Sequence, residues 1–163
     1  MHAGIIGSGA AITHGGTFLS HPVATSAALA TQRYILEEGI TQYVDDTGRY
    51  LQELLSAHCG SLTCVGDIRG RGFFQGVEFV REPGKKTPLS RGVFATEVAR
   101  RALDDGLMIY PGGGLSSEGT GDHVLIAPAY IATPTDLEAM VMKLSRAIKT
   151  TWSAWRTTQQ GRS

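Results

Sequence analysis

Residues 62–80 read LTCVGDIRGRGFFQGVEFV, and this stretch decides the architecture. From Phe73 onward the side chains alternate. Phe73, Gln75, Val77 and Phe79 fall on one face, and Phe74, Gly76, Glu78 and Val80 on the other, which is the two-residue period of a strand. Leu62–Val65 is a second extended run. Between the two, Gly66-Asp67-Ile68-Arg69-Gly70-Arg71-Gly72 carries three glycines and reads as a tight, irregular turn.

Downstream, Arg81–Pro88 reads as a loop with Pro83-Gly84 at its tip. Ser90 is expected to cap a helix reaching Asp105 through Val93, Phe94, Val98, Ala102 and Leu103, with Gly106 ending it. Leu107–Tyr110 reads as a short strand, Pro111–Gly121 as a glycine-rich loop and His123–Ala127 as a further strand. The last helix has the clearest start. Thr133-Pro134-Thr135-Asp136 sets a cap residue, a first-turn proline and an acid three residues on. Leu137, Met140, Val141, Leu144, Ile148 and Trp152 form its apolar stripe.

Upstream, the spacing predicts two helices. One runs through the alanine-rich Val23–Glu38, with Ser20 as its cap, Pro22 in its first turn and Gly39 at its end. The other covers Thr41–His58, with Ile40, Tyr43, Val44, Thr47, Leu51, Leu54 and Leu55 on one stripe and Gly60 closing it. From residue 60 the order is strand, strand, helix, strand, strand, helix. This is an α+β layout, a small sheet with helices on one face, preceded by two connector helices. The expected divisions are a loop over 1–19, connectors over 20–59, a small domain over 60–155 and a polar tail over 156–163. The glycine-rich start, without helical or alternating pattern, reads as a loop continuing something upstream.

Composition narrows the function. Hydrophobic residues make up 42% and charged residues 18% of the 163, within the range of folded globular chains. Fifteen basic residues balance fifteen acidic ones, so the basic face a nucleic-acid binder needs is not expected. No apolar run has the length of a membrane helix, and no signal segment opens the chain. Cys59 and Cys64 match no zinc or redox spacing and read as reduced, packed thiols, with cytoplasmic location as the default. The histidines at 2, 14, 21, 58 and 123 show no metal spacing, and no acid–base dyad or nucleophile elbow is visible. Gly7-Ser8-Gly9 fails as a dinucleotide fingerprint, because Ile12 stands where the third glycine belongs and no strand precedes it.

One segment carries chemistry. His14-Gly15-Gly16-Thr17-Phe18-Leu19-Ser20-His21-Pro22 places a glycine pair and a hydroxyl just ahead of a helix N-terminus. Freed backbone N–H groups and the Thr17 hydroxyl would make an anion cradle there. On residue chemistry alone, an ordinary capped loop is the preferred reading of the segment.

The segment His14–Ala30 resembles the Gly-x-Thr-aromatic-x-x-His-Pro stretch of class III aminotransferases, pyridoxal-phosphate enzymes of fold type I. The resemblance continues through residues 65–72 and 76–80, then Gly106–Gly112 and Gly121–Pro128, in the family's order. It implies that Thr17 binds the cofactor phosphate across a homodimer interface, with Gly16 giving a backbone contact or clearance. It also implies that Leu62–Trp152 is the small C-terminal domain covering an amine or keto-acid substrate.

Three departures from the family stand out. Members commonly have histidine or serine where this chain has Gly16. Many carry a carboxylate-binding arginine where Tyr110-Pro111-Gly112 stands here, which leaves Arg69 and Arg71 as candidate cations or as partners in internal salt bridges. The family's cofactor-bearing lysine lies upstream of the Thr17 motif, whereas this chain's lysines are Lys85, Lys86, Lys143 and Lys149. The expectation is therefore a C-terminal part of the enzyme that is inactive alone, with no catalytic or metal-binding residue of its own. A non-catalytic interaction module, a degenerate paralogue, or part of a related aminomutase or racemase are the alternatives.

Overall fold

In a computed structural model the described residues are Gly7, 15–82, 87–89, 92–114 and 119–160. They fall into two compact units, divided between Glu38 and Gly39. The first contains helix α1 (Pro22–Glu37), none of whose residues is buried. The second contains α2 (Ile40–Cys59), strands β1 (Val65–Arg71), β2 (Phe74–Glu82) and β3 (Thr87–Pro88), helix α3 (Val93–Asp104), strands β4 (Tyr110–Gly113) and β5 (Asp122–Ile126), and α4 (Pro134–Gln160). The sheet is antiparallel in the order β1-β2-β5-β4, with β3 pairing on β2.

The alternation that announced β2 is realised from Phe73 to Phe79; Val80, expected on the outer face, is buried at the register shift where β3 joins. Gln75, Val77, Phe79, Val124 and Ile126 are almost completely buried, while Phe74 on the opposite face is 61% exposed. Helices cover one side of the sheet, as an α+β layout requires. Leu51 and Leu55 of α2, Phe94 and Val98 of α3, and Leu137, Leu144 and Ile148 of α4 complete the core. Each such side chain contributes about 1.5–3 kcal/mol when removed from water. Phe79, Phe94 and Trp152 meet edge to face, at 5.0 and 5.9 Å between successive ring centroids. The α2 stripe enters this core directly, so the second predicted connector helix lies inside the compact unit.

Several sequence expectations are corrected. The glycine-rich stretch at 66–72 is mostly strand, not turn: β1 pairs with β2 from Val65↔Phe79 to Arg71↔Phe74. Its glycines allow close approach. A Cβ on Gly70 would lie 2.2 Å from the Phe74 carbonyl oxygen, and one on Gly66 would lie 2.6 Å from a Val80 methyl. The turn itself is Gly72-Phe73. Gly72 has φ +54°, the left-handed value a two-residue hairpin loop asks of its first central residue. The Gln75 side-chain amide donates to the Gly72 carbonyl at 2.9 Å, and Phe73 packs edge-on to Tyr43.

The cap of α1 is His21, not Ser20; Ser20 has φ +62° and makes no cap hydrogen bond. The strand expected at 107–110 is displaced to Tyr110–Gly113, and the expected polar tail continues α4 to Gln160. Helix α3 is preceded by Gly92 with φ +75°; Ser90, Pro83 and Gly84 lie outside the described residues. The capping box of α4 is present. The Asp136 N–H donates to Thr133 Oγ1 at 3.3 Å and the Thr133 N–H to Asp136 Oδ2 at 2.9 Å. The end of α2 is tied to α4, because Ser145 Oγ donates to the His58 carbonyl at 2.8 Å.

Candidate functional site

Gly16 and Thr17 sit in the turn that leads into α1. The Leu19 N–H donates to the Gly16 carbonyl at 3.1 Å, and the His21 N–H to the Phe18 carbonyl at 3.3 Å. Pro22 at the first helical position brings no donor, and no side chain caps the helix. Among the described residues the Val23 and Ala24 amides are therefore left open, and the first amide with a partner is that of Thr25, which donates to the His21 carbonyl at 2.9 Å. The Thr17 hydroxyl is exposed and has no hydrogen-bond partner among the described residues. A Cβ on Gly16 would meet only Leu19 Cγ at 3.9 Å, so no contact among the described residues demands glycine there. An exposed hydroxyl beside open amides at a helix N-terminus is chemically suited to a phosphate. No lysine lies in this first unit.

In the second unit, Arg69 is committed to Asp67 and Glu78, both at 2.7 Å. Arg71 lies 3.8 Å from Asp45. Both are thus internal ion pairs, one of the two readings their sequence allowed. Tyr110, at the position where the resemblance places an arginine, is 69% exposed at the start of β4. Lys149 is exposed and Lys143 half-buried on α4, while Lys85 and Lys86 lie outside the described residues. No cluster of metal-binding side chains occurs among the described residues, and no described helix is long and apolar enough to cross a membrane.

Two features of this unit escape sequence reading. Asp122, at the start of β5, is 1% exposed and accepts the Ala95 N–H at 3.4 Å. It thereby caps α3 from a distant strand. Burial pushes its carboxyl up to about 6, against the pull of the Ala95, Phe94 and Gly92 amides. Its signal in the sequence is an acid opening the strand just ahead of the apolar run Val124-Leu125-Ile126. Next to it, His123 pairs with Gly112 across β4 and β5. A Cβ on Gly112 would lie 2.4 Å from His123 Nε2, so the glycine makes room for the ring.

A five-stranded antiparallel sheet with helices packed on one face, preceded in the chain by a phosphate-suited turn, is the class of structure these observations define. The family described as Aminotransferase class-III matches residues 2–148, so the chain belongs to the class III aminotransferases. An aminotransferase of Gibberella zeae is 41% identical over 145 residues, covering 87% of this chain and 28% of that relative. A probable mitochondrial gamma-aminobutyrate transaminase 3 of Oryza sativa subsp. indica is 31% identical over 143 residues, covering 85% and 26%. The omega transaminase from Pseudomonas jessenii in complex with PMP matches with a TM-score of 0.75 at 29% identity, covering 94% of this chain and 31% of that one. The chain thus spans less than a third of each of these proteins.

Proposed function

We propose that this chain supplies the C-terminal part of a pyridoxal-phosphate-dependent aminotransferase acting on small amines or amino acids and keto acids. The cofactor, when bound, provides the electron sink that lets an amino group leave one carbon skeleton and join another. The observation that carries the reading is the Gly16–Thr17 turn. Its free hydroxyl and the uncapped amides of α1 would hold the cofactor phosphate, and Gly16 would give the clearance for a group arriving from outside this chain. The relatives named above are aminotransferases or transaminases, which favours amino transfer over mutase or racemase chemistry.

The phosphate contact is proposed to cross a homodimer interface. Exposed Phe18, Val23, Leu29 and Leu36 around α1 support a partner surface there. Two free, buried cysteines agree with a reducing, cytoplasmic setting. The lysine that carries the cofactor would come from sequence outside these 163 residues. The purified chain is therefore expected to develop no protein-bound cofactor absorbance with pyridoxal phosphate and to transfer no amino group. Mixing it with the upstream portion of the fungal relative is expected to restore transfer, and Thr17→Val to weaken cofactor retention in that mixture. Cofactor-dependent turnover by the chain alone, abolished by Lys85→Ala or Lys86→Ala, would overturn the proposal.

A further inference from the structure

The helical side of the second unit holds a recess unrelated to the Thr17 turn. It has a volume of about 310 Å³ and lies between the 62–64 turn and the last turns of α4. Lys149 and Arg156 line it together with the hydroxyl residues Thr63, Ser153 and Thr157, and no carboxylate does. This charge pattern is unusual for the unit. Arg49, Arg69, Arg71, Arg100, Arg101 and Arg146 each meet an Asp or Glu, and Arg81 lies over the Trp155 ring. Lys149 and Arg156 have no carboxylate partner among the described residues. The indole N–H of Trp152, another lining residue, is buried without a hydrogen-bond partner.

We propose that this recess binds a diphosphate group of a small soluble molecule. Two cations favour a ligand with two anionic centres. Lys149 and Arg156 stand seven residues apart on α4, about 10 Å of helix rise between their backbones, with Ser153 one turn from Lys149 and nearly one turn from Arg156. Two linked phosphates can place one charge beside each cation. Hydroxyls between the cations donate to the bridging and terminal oxygens. A recess walled on one side by a turn suits a small group better than a planar surface.

The test is titration of the purified chain with inorganic pyrophosphate, inorganic phosphate, and sodium chloride at matched ionic strength. It is followed by tryptophan fluorescence and by backbone NMR shifts. Pyrophosphate should bind saturably and more tightly than phosphate, with shifts confined to residues 62–64 and 149–157. Lys149→Ala and Arg156→Ala should each weaken it about fivefold, the worth of one exposed ion pair, while Lys143→Ala leaves it unchanged. All three side chains are on the helix surface, and circular dichroism confirms that the variants fold. Sodium chloride reproducing the shifts, or unchanged pyrophosphate affinity in both variants, would overturn the proposal. In that event the two cations serve only the C-terminal dipoles of α2 and α4.

Discussion

Gly48→Ala should destabilise the second unit, although on an exposed helix the same change is stabilising. Gly48 is buried in the middle of α2, and alanine in a helix interior is favoured over glycine by about 1 kcal/mol. Against this, a Cβ at position 48 would lie 2.3 Å from Gly72 Cα, 2.6 Å from its carbonyl carbon and 2.7 Å from its oxygen. Carbon atoms at rest stand about 3.5–4.0 Å apart, so the helix or the turn must move by more than 1 Å. The turn is poorly placed to yield. Gly72 holds the β1–β2 hairpin at φ +54°, the Gln75 side chain grips its carbonyl, and buried Phe73 follows it. Overpacking costs about 1–3 kcal/mol or more; a collision this close, with backbone atoms that are held in place, belongs in the upper part of that range, which outweighs the helix preference and leaves a net loss of about 1–2 kcal/mol. Urea denaturation followed by the fluorescence of Trp152 and Trp155 measures it. Gly76→Ala is the control, because its Cβ would meet Leu125 and Arg69 atoms at an ordinary 3.6 Å. A Gly48→Ala midpoint at or above wild type would refute the close approach of α2 to the hairpin.

Three further outcomes are expected. The Asp122 carboxyl is raised from 3.8 to about 6 by burial, so the folded state takes up its proton more readily than the unfolded chain. Its contribution is full below 3.8 and lost as pH rises through 6, about 3 kcal/mol across the window; wild-type stability relative to Asp122→Asn should therefore fall from about pH 4 to about pH 7, and a rise in urea experiments would refute it. Thr133→Ala removes the hydroxyl half of the α4 capping box and should cost about 1 kcal/mol in the same assay. Burial pushes the Cys59 thiol up to about 11 and the Cys64 thiol up to about 12. Both should react with a thiol reagent only as fast as the unit opens, so rapid labelling under native conditions would contradict their burial.

The parts of the fold that the sequence made legible rest on local periodicity. The β2 alternation, the α2 stripe and the Thr133–Asp136 cap involve neighbours a few residues apart, and each appears in the structure where its pattern placed it. The misread parts depend on distant partners. Gly66 and Gly70 look like turn residues because glycine permits turns, yet they are needed where β1 lies against Val80 and Phe74. Ser20 has the composition of a helix cap, but its backbone adopts φ +62° and leaves that position to His21. The sequence offered Ser90, outside the described residues, for the start of α3, but not the carboxylate that caps it, which comes from Asp122, 27 residues from the amide it accepts.

The same distinction governs the candidate site. Gly16-Thr17 is legible as a motif because a hydroxyl and glycines ahead of a helix are local chemistry. Within the described residues, however, the Thr17 hydroxyl and the Val23 and Ala24 amides that open α1 serve no partner, and neither does the absence of a side chain at Gly16. By contrast, Gly48, Gly70 and Gly112 each answer to an atom within 2.5 Å of the missing Cβ. A glycine required by its own unit can be recognised by what would collide with it. Gly16 collides with nothing among the described residues, so a steric reason for it would come from atoms beyond them, and Thr17→Val should weaken cofactor retention in the reconstituted mixture without altering the stability of the second unit.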